Sequence, residues 1–400
     1  MKVTTVIWII ILFIALWLFL DFYLGRKNQL KRLERKDYPY WQSSLNMFTE
    51  GPELFADLFS ELHRAKYHIH ILFYIVKDDK ISTDFLNILK EKAREGVEVR
   101  LLLDRIGSHR FNKKMIQSLR ENGVMFSYSH TPRLPFLFYS LQARNHRKLT
   151  IIDGKIGYIG GYNIGKEYIN LDPKLRPWRD YHLKIMGEGV AGLQKEFLTD
   201  WHLDTNIDLL ENPEYFPKLP KGPYRHQLIP SKGAYLEDTF SAMIRNAETN
   251  IIIGTPYFIP SQRLLNDLLD ALKRGVTLTI LVPKMADHPL VKEGSYFFFR
   301  KLMEQGALVY EFMNGFYHAK TIIIDDKICD IGTANFDHRS LFLNYEINCY
   351  IYDYQFIQKA RAVMETDISC SERMTLEHLN QFDPVRSIKE WLAQLIILFL

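Results

Sequence analysis

The chain has 400 residues, 47% of them hydrophobic and 24% charged, with a formal net charge of +4. Its length fits about two to three domains, and its composition is that of a globular protein with some membrane segment. The mild charge permits an anionic partner but does not by itself argue for one. Cys329, Cys349 and Cys370 make no C-x-x-C pair and no even framework. That sets aside a disulfide scaffold and favours a reducing compartment, with the thiols as buried small hydrophobes.

In chain order, the first element is an unbroken apolar run over 6–20. Val3, Thr4 and Thr5 extend it on one side, and Phe22, Tyr23 and Leu24 extend it around Asp21 on the other. The run approaches the ~20 residues that span a bilayer. It shows no small-x-small cleavage site, so residues 1–25 read as an uncleaved transmembrane anchor rather than a signal peptide. Lys2 alone precedes it. Arg26, Lys27, Lys31, Arg32, Arg35 and Lys36 follow, in a basic juxtamembrane segment over 26–43. Lys and Arg favour the cytoplasmic side, so a single-pass protein with its large C-terminal part in the cytoplasm is expected. The same cluster attracts an anionic lipid surface, at roughly 1 kcal/mol per residue near the headgroups.

From residue 44 onward the pattern is strand, helix, strand. Residues 68–76 are apolar and β-rich, 83–95 have helical spacing and stop at Gly96, and 97–104 (VEVRLLLD) form a strand. The rhythm returns with a strand at Asn250–Gly254, the turn TPYFIP, a helix at Gln262–Lys273 closed by Gly275, and a strand at 276–282. The expected fold is α/β, a mixed sheet flanked by helices. It divides into two similar lobes, 44–215 and 216–370, joined through a Pro-rich stretch at 211–230. The tail, 371–400, ends in apolar pieces too short to span a membrane. It either packs on the core or lies in the bilayer interface.

Each lobe leads into the same motif. Residues 146–153 read HRKLTIID and 318–325 read HAKTIIID, both H-x-K-x-x-x-x-D. After six more residues each copy gives Gly-x-x-Asn, at Gly160 to Asn163 and Gly332 to Asn335. A repeat this long implies two similar structural units. The β-branched residues after each histidine read as a strand, on which positions i and i+2 share a face. His146 then points with Lys148, and His318 with Lys320. Asp153 and Asp325, at an odd offset, face away and mainly support the site, and Asp153-Gly154 reads as a tight hairpin turn. The six motif residues His146, Lys148, Asp153, His318, Lys320 and Asp325 form the candidate catalytic set. Asn163 and Asn335, on the hairpin's return, are candidates for contact with phosphate oxygens.

Two His-Lys pairs facing each other are equipment for splitting a phosphodiester, with no metal or cofactor expected. One neutral histidine attacks phosphorus, and the opposite, protonated histidine supplies the leaving alcohol with a proton. Lysines and asparagines stabilise the charged oxygens. Each histidine then needs its tautomer fixed by a carboxylate on the other ring nitrogen. Asp180 (in Trp178-Arg179-Asp180) and Glu346 (in Asn344-Tyr345-Glu346) follow the motifs at similar distances and are the candidates, with plain surface acids as the alternative. Of the remaining histidines, His63, His68, His70, His109, His130, His202, His226 and His378 have no motif around them. His68-x-His70 reads as an alternating strand rather than a metal pair. No role is assigned to His182 or His338.

These residues resemble the phospholipase D superfamily, and within it the bacterial cardiolipin synthase branch. The resemblance rests on Arg144-Asn145-His146-Arg147-Lys148 with Ile159 to Asn163, Trp178 to His182, and Phe197 to Asp200-Trp201. In the second lobe it rests on Thr255 to Pro260, Gly315 to Lys320, Gly332 to Ser340 and Asn344-Tyr345-Glu346. It covers about 44–370 and implies two lobes related by pseudo-twofold symmetry, with one active site at their interface and no metal. It further implies a phosphatidyltransferase that joins two phosphatidylglycerol molecules into cardiolipin and releases glycerol. In that scheme His146 is the nucleophile, through a covalent phosphohistidine, and His318 is acid then base. Many relatives have two N-terminal membrane segments, and one is found here. The implied partners are the membrane and an anionic phospholipid, phosphatidylglycerol. The apolar clusters at 134–139 (LPFLFY) and 296–299 (YFFF) either meet lipid near the site entrance or belong to the core, the latter favoured for YFFF. Phospholipase D hydrolysis, or transfer to another alcohol, keeps the same chemistry. A nuclease is disfavoured by the near-neutral charge and the anchor, so no nucleic acid is expected, and a non-catalytic scaffold is disfavoured by two intact motifs.

Overall fold

The computed structural model describes residues 3–400. Its framework is a mixed 16-stranded sheet in which one arrangement occurs twice. In the first half His68–Phe73, Glu98–Asp104 and Met125–Ser129 pair in parallel, with the helices Lys80–Arg94 and Lys113–Glu121 between them in sequence. The first of these strands is buried along its whole length and the second at every position but one. Parallel strands covered on both faces require such continuous apolar runs. On its other edge His68–Phe73 takes the hairpin Leu149–Ile152/Ile156–Gly160, then Trp178–Gly187 and Tyr40–Glu50, all antiparallel. The second half repeats this order with Leu308–Phe312, Thr277–Pro283, Asn250–Gly254, Thr321–Ile324, Ile328–Gly332, Tyr345–Ile351 and Tyr224–Lys232. The two halves join where Tyr40–Glu50 pairs with Tyr224–Lys232, from Tyr40↔Gln227 to Ser43↔Tyr224.

Helices cover both faces. Leu54 and Phe55 of Gly51–Arg64 pack with Phe85 and Leu89 of Lys80–Arg94 over the first half. Phe240, Leu264 and Leu268 do the same over the second. On the opposite face one continuous core takes Phe197 and Trp201 of Val190–Thr205 together with Phe356 and Met364 of Tyr354–Ser369. That shared core, with the continuous sheet, fixes the two lobes against each other.

Several expected boundaries move. The strand Tyr40–Glu50 crosses the expected start of the first lobe at residue 44, and Tyr224–Lys232 occupies part of the stretch expected to be a linker. The expected helix at 83–95 starts at Lys80, because the Asp79 side chain caps it by accepting from Ser82 N. Among the described residues one helix, Val3–Leu30, is long and apolar enough to cross a membrane, and it extends ten residues beyond the apolar run. Its foot is docked. Tyr139 N donates to Asp21 Oδ1 at 2.8 Å, the Phe22 and Tyr139 rings lie 5.7 Å apart, and a Cβ on Gly25 would come within 2.5 Å of Tyr139 Cβ. The LPFLFY cluster therefore supplies the docking helix Leu137–Gln142, with Leu134 left exposed. In YFFF, Phe298 and Phe299 are core and Phe297 is exposed. The tail forms the helix Pro384–Leu395, held to Val291–Met303 by Arg300–Glu390 at 2.7 Å. It leaves Val385, Ile388, Trp391 and Leu395 exposed.

Candidate active site

Each motif histidine lies just ahead of its strand rather than within it, on extended chain that crosses to the other lobe. His146 N donates to Tyr345 O at 2.9 Å, and Tyr345 N donates to Arg144 O at 2.8 Å. In the mirror arrangement Phe316–Tyr317 pairs in parallel with Trp178 and Arg179, and His318 N donates to Arg179 O at 2.7 Å. These backbone bonds carry each histidine to the carboxylate that follows the other motif. Glu346 Oε1 and Oε2 both lie 3.0 Å from His146 Nδ1, and Asp180 Oδ2 lies 2.6 Å from His318 Nδ1. The two candidate carboxylates are thus buried and paired crosswise with the imidazoles. Gly161, the residue after the glycine of the first Gly-x-x-Asn, makes room for this, since a Cβ there would sit 2.1 Å from Asp180 Oδ1.

Both lysines point back at their histidines, as alternation requires. Lys148 Nζ donates to His146 O at 2.6 Å. Lys320 Nζ bonds His318 O and lies 2.7 Å from His318 Nδ1 and 3.1 Å from Nε2. Burial lowers Lys148 to about 7 and Lys320 to about 8, against the partial support of Glu346 and Asp180. Burial also lowers His146, although Glu346 opposes it. His318 falls well below its ordinary value, through burial and then through Lys320. Burial pushes Asp180 up, against Lys320. Burial acts the same way on Glu346, but His146, Lys148 and donated hydrogen bonds overcome it and hold the carboxyl below its usual range. Those donors are Thr333 Oγ1 at 2.6 Å, Ser340 Oγ at 3.0 Å and Asn344 Nδ2 at 3.3 Å. His146 and His318 act on each other electrostatically across the interface. Their side chains keep 12% and 9% exposure.

The other sequence candidates lie elsewhere. Asp153 and Asp325, counted with the catalytic set, touch neither imidazole. Asp153 sits in the hairpin turn at φ 53° and accepts from Lys66 N, Tyr67 N and His68 N. Asp325, also at φ 53°, accepts from Glu248 N, Thr249 N and Asn250 N. Each pins the start of its lobe's first parallel strand, His68–Phe73 or Asn250–Gly254. Asn163 and Asn335, the candidates for contact with phosphate oxygens, are buried and make hydrogen bonds within the framework, with Asn335 Oδ1 left without a partner among the described residues. Asn163 Oδ1 accepts from Ile75 N and its Nδ2 donates to Tyr168 Oη. Asn335 Nδ2 donates to Asp337 Oδ2.

Other residues at the site were given no role from the sequence. Arg147, fully buried, donates to Asp200 Oδ2 at 2.6 Å, Ser231 O at 2.9 Å and Glu346 O at 3.0 Å, tying the His146 segment to the second lobe. Only its place between His146 and Lys148 marks it. Tyr74 packs edge-on against His146 at 4.9 Å. Trp178 at 4.8 Å and Tyr257 at 6.5 Å border His318. Tyr74 and Tyr257 follow the first parallel strands of their lobes, His68–Phe73 and Asn250–Gly254, in a matched placement.

A two-lobed α/β fold with one histidine per lobe at a shared interface defines a phospholipase D-like protein. A family model described as "Cardiolipin synthase, PLD-like domain" matches residues 58–177 and 240–368. The chain is 39% identical over 400 residues to the minor cardiolipin synthase of Bacillus subtilis, covering 100% of both chains. It is 38% identical over 360 residues to the major cardiolipin synthase of the same organism, covering 88% of this chain and 75% of that one. The fold also matches the crystal structure of phosphatidylserine synthase from Haemophilus influenzae, with a TM-score of 0.72 at 18% identity over 94% of this chain and 100% of that one. The chain belongs to the cardiolipin synthase family of phospholipase D-like proteins.

Proposed function

We propose that this chain is a membrane-bound phosphatidyltransferase that joins two phosphatidylglycerol molecules, yielding cardiolipin and glycerol. The observation that carries the reading is the crosswise pairing of each imidazole Nδ1 with a buried carboxylate of the other lobe. That bond keeps the proton on Nδ1 and leaves Nε2 to the substrate, the division of labour of a carboxylate-oriented histidine. The names of the relatives support the transfer of phosphatidyl groups.

His146 Nε2 attacks phosphorus, and the bond to the headgroup oxygen breaks. His318, protonated once the anionic phosphodiester enters, gives the Nε2 proton to the departing glycerol. The phosphatidyl group is now on His146. The hydroxyl of a second phosphatidylglycerol then attacks, His318 Nε2 takes its proton, and the P–N bond breaks to release cardiolipin. Glu346, held ionised, stabilises the positive charge that develops on His146, which favours this histidine as nucleophile. Lys148 and Lys320 neutralise the non-bridging oxygens. Asp153, Asp325, Asn163 and Asn335 act through the framework.

Val3–Leu30 is the bilayer anchor, with the lobes on the cytoplasmic side of the cell membrane, as the basic flank favours. Its foot binds the helix Leu137–Gln142, only four residues before His146, which sets the site beside the lipid surface. Purified protein with phosphatidylglycerol vesicles and a metal chelator tests the proposal. Cardiolipin with equimolar glycerol is the expected product pair. Phosphatidic acid alone makes the chain a hydrolase, and intact lipid with cleaved DNA makes it a nuclease.

A further inference from the structure

The two sides of the site differ in one respect that the motif symmetry hides. Beside His146, the acid facing Tyr74 is Asp104, and it is fully engaged. It accepts from Arg144 Nη1 at 3.3 Å, Ile106 N at 2.9 Å, Gly107 N at 2.8 Å and Asn145 N at 2.9 Å. Beside His318, Tyr257 Oη donates to Asp287 Oδ2 at 2.7 Å. Asp287 Oδ1 is buried and has no hydrogen-bond partner among the described residues. The carboxylate acts electrostatically on both His318 and Lys320.

Asp287 lines a small recess with Pro256, Tyr257 and His288, about 20 Å³, room for about one hydroxyl. Lys292 of that wall, and Lys284 outside it, are already paired. Lys284 and Lys292 each reach Glu311, at 2.7 Å and 2.8 Å. What the recess offers is therefore a hydrogen-bond acceptor, not a cation. It suits a hydroxylated, uncharged group.

Phosphorus chemistry says which group arrives there. When His146 attacks in line, the departing oxygen lies opposite it, on the His318 side. The acceptor hydroxyl later enters along the same line. In the proposed reaction both groups are glycerol units carrying neighbouring hydroxyls. We propose that Asp287, held by Tyr257, is the polyol subsite, binding the free hydroxyls of the departing glycerol and of the incoming glycerol headgroup. Asp287 then positions the acceptor and selects a polyol over water or a simple alcohol. This deepens the transferase reading and rests on it.

Two variants, Asp287→Ala and Asp287→Asn, are compared with the full-length wild type. Hydrogen bonds to a charged group support a loss of about ten- to hundredfold. The loss is expected in KM for phosphatidylglycerol as acceptor, with phosphatidic acid rising at the expense of cardiolipin. With a phosphatidyl ester of p-nitrophenol, whose leaving group needs neither proton nor polyol contact, nitrophenol release should fall far less than cardiolipin formation. With that donor, wild type should prefer added glycerol to ethanol as acceptor, and Asp287→Ala should level the preference. An unchanged preference overturns the proposal, as does an equal fall in nitrophenol release and cardiolipin formation. Asp287→Asn guards against misfolding, since it keeps the shape and loses the charge, and it should fall between the two. If wild type releases nitrophenol but makes no cardiolipin, the transferase reading itself fails, a result distinct from any of these.

Discussion

Glu346→Gln isolates the crosswise carboxylate pairing with almost no change of shape. The carboxylate meets His146 Nδ1 at 3.0 Å and accepts from Thr333, Ser340 and Asn344. The hydroxyl partners can reorient toward an amide, so the fold should survive. What is lost is the anion beside an imidazole that becomes cationic when phosphorus binds. Unit charges about 4 Å apart interact by about 4 kcal/mol at an effective dielectric of 20. At about 1.36 kcal/mol per decade this predicts a fall in kcat of about 10³-fold. The assay is cardiolipin formation from phosphatidylglycerol at saturating substrate, with thermal melting measured in parallel. A folded Glu346→Gln protein within about tenfold of wild type would falsify the assignment of Glu346 as the orienting anion.

Three further outcomes follow from buried or pinned groups. The lysine ammonium groups, lowered to about 7 and about 8 by burial, should lose their protons as pH rises, so kcat/KM, which reports the free enzyme, should decline above about pH 7 to 8; a flat profile to pH 9 contradicts this. Asp330, buried and accepting from Asn348 Nδ2 at 2.7 Å, is raised from 3.8 to about 8 by burial. Folding near neutral pH must therefore protonate it, at a cost of order 1.36 kcal/mol per pH unit above about 4, levelling off above about 8. Asp330→Asn removes that cost and should raise thermal stability at pH 7 by about 2–4 kcal/mol, with the gain shrinking toward pH 4; a constant difference between pH 4 and 8 argues against the linkage. Asp325→Ala should cost about 1–3 kcal/mol of stability through lost charge-assisted bonds, with kcat unchanged at a temperature where the variant is folded. Because backbone donors lower the Asp325 carboxyl, its contribution is present above about pH 4 and fades as the pH falls through the folded value. A large kcat effect without destabilisation returns Asp325 to the catalytic set.

The amino-acid pattern made the repeat legible because the chemistry needs both copies, and each copy carries its own strand, helix and hairpin signals. Asp180 and Glu346 were visible as candidates from their equal placement, yet their partners were not. His146 and Glu346 lie 200 residues apart, and only the lobe-to-lobe backbone pairing brings them together. Asn163 and Asn335 were candidates from their place on the hairpin's return, and the bonds that Asn163 makes to Ile75 N and Tyr168 and Asn335 makes to Asp337 leave no mark in the pattern. The strands Tyr40–Glu50 and Tyr224–Lys232 were hidden in a basic flank and a Pro-rich stretch, where local composition competes with pairing that is set by the fold. Asp287 has no motif at all, and its buried, unpartnered oxygen is evident only in three dimensions.

The central claim is that two imidazoles, one from each lobe, serve a single phosphorus atom. Quenching the enzyme during turnover of radiolabelled phosphatidylglycerol, then mapping the acid-labile phosphoryl peptide, tests it directly. The account predicts at most one label per chain, on His146, that disappears in His146→Ala. Two labels per chain, one on each motif histidine, would show two independent sites and contradict it.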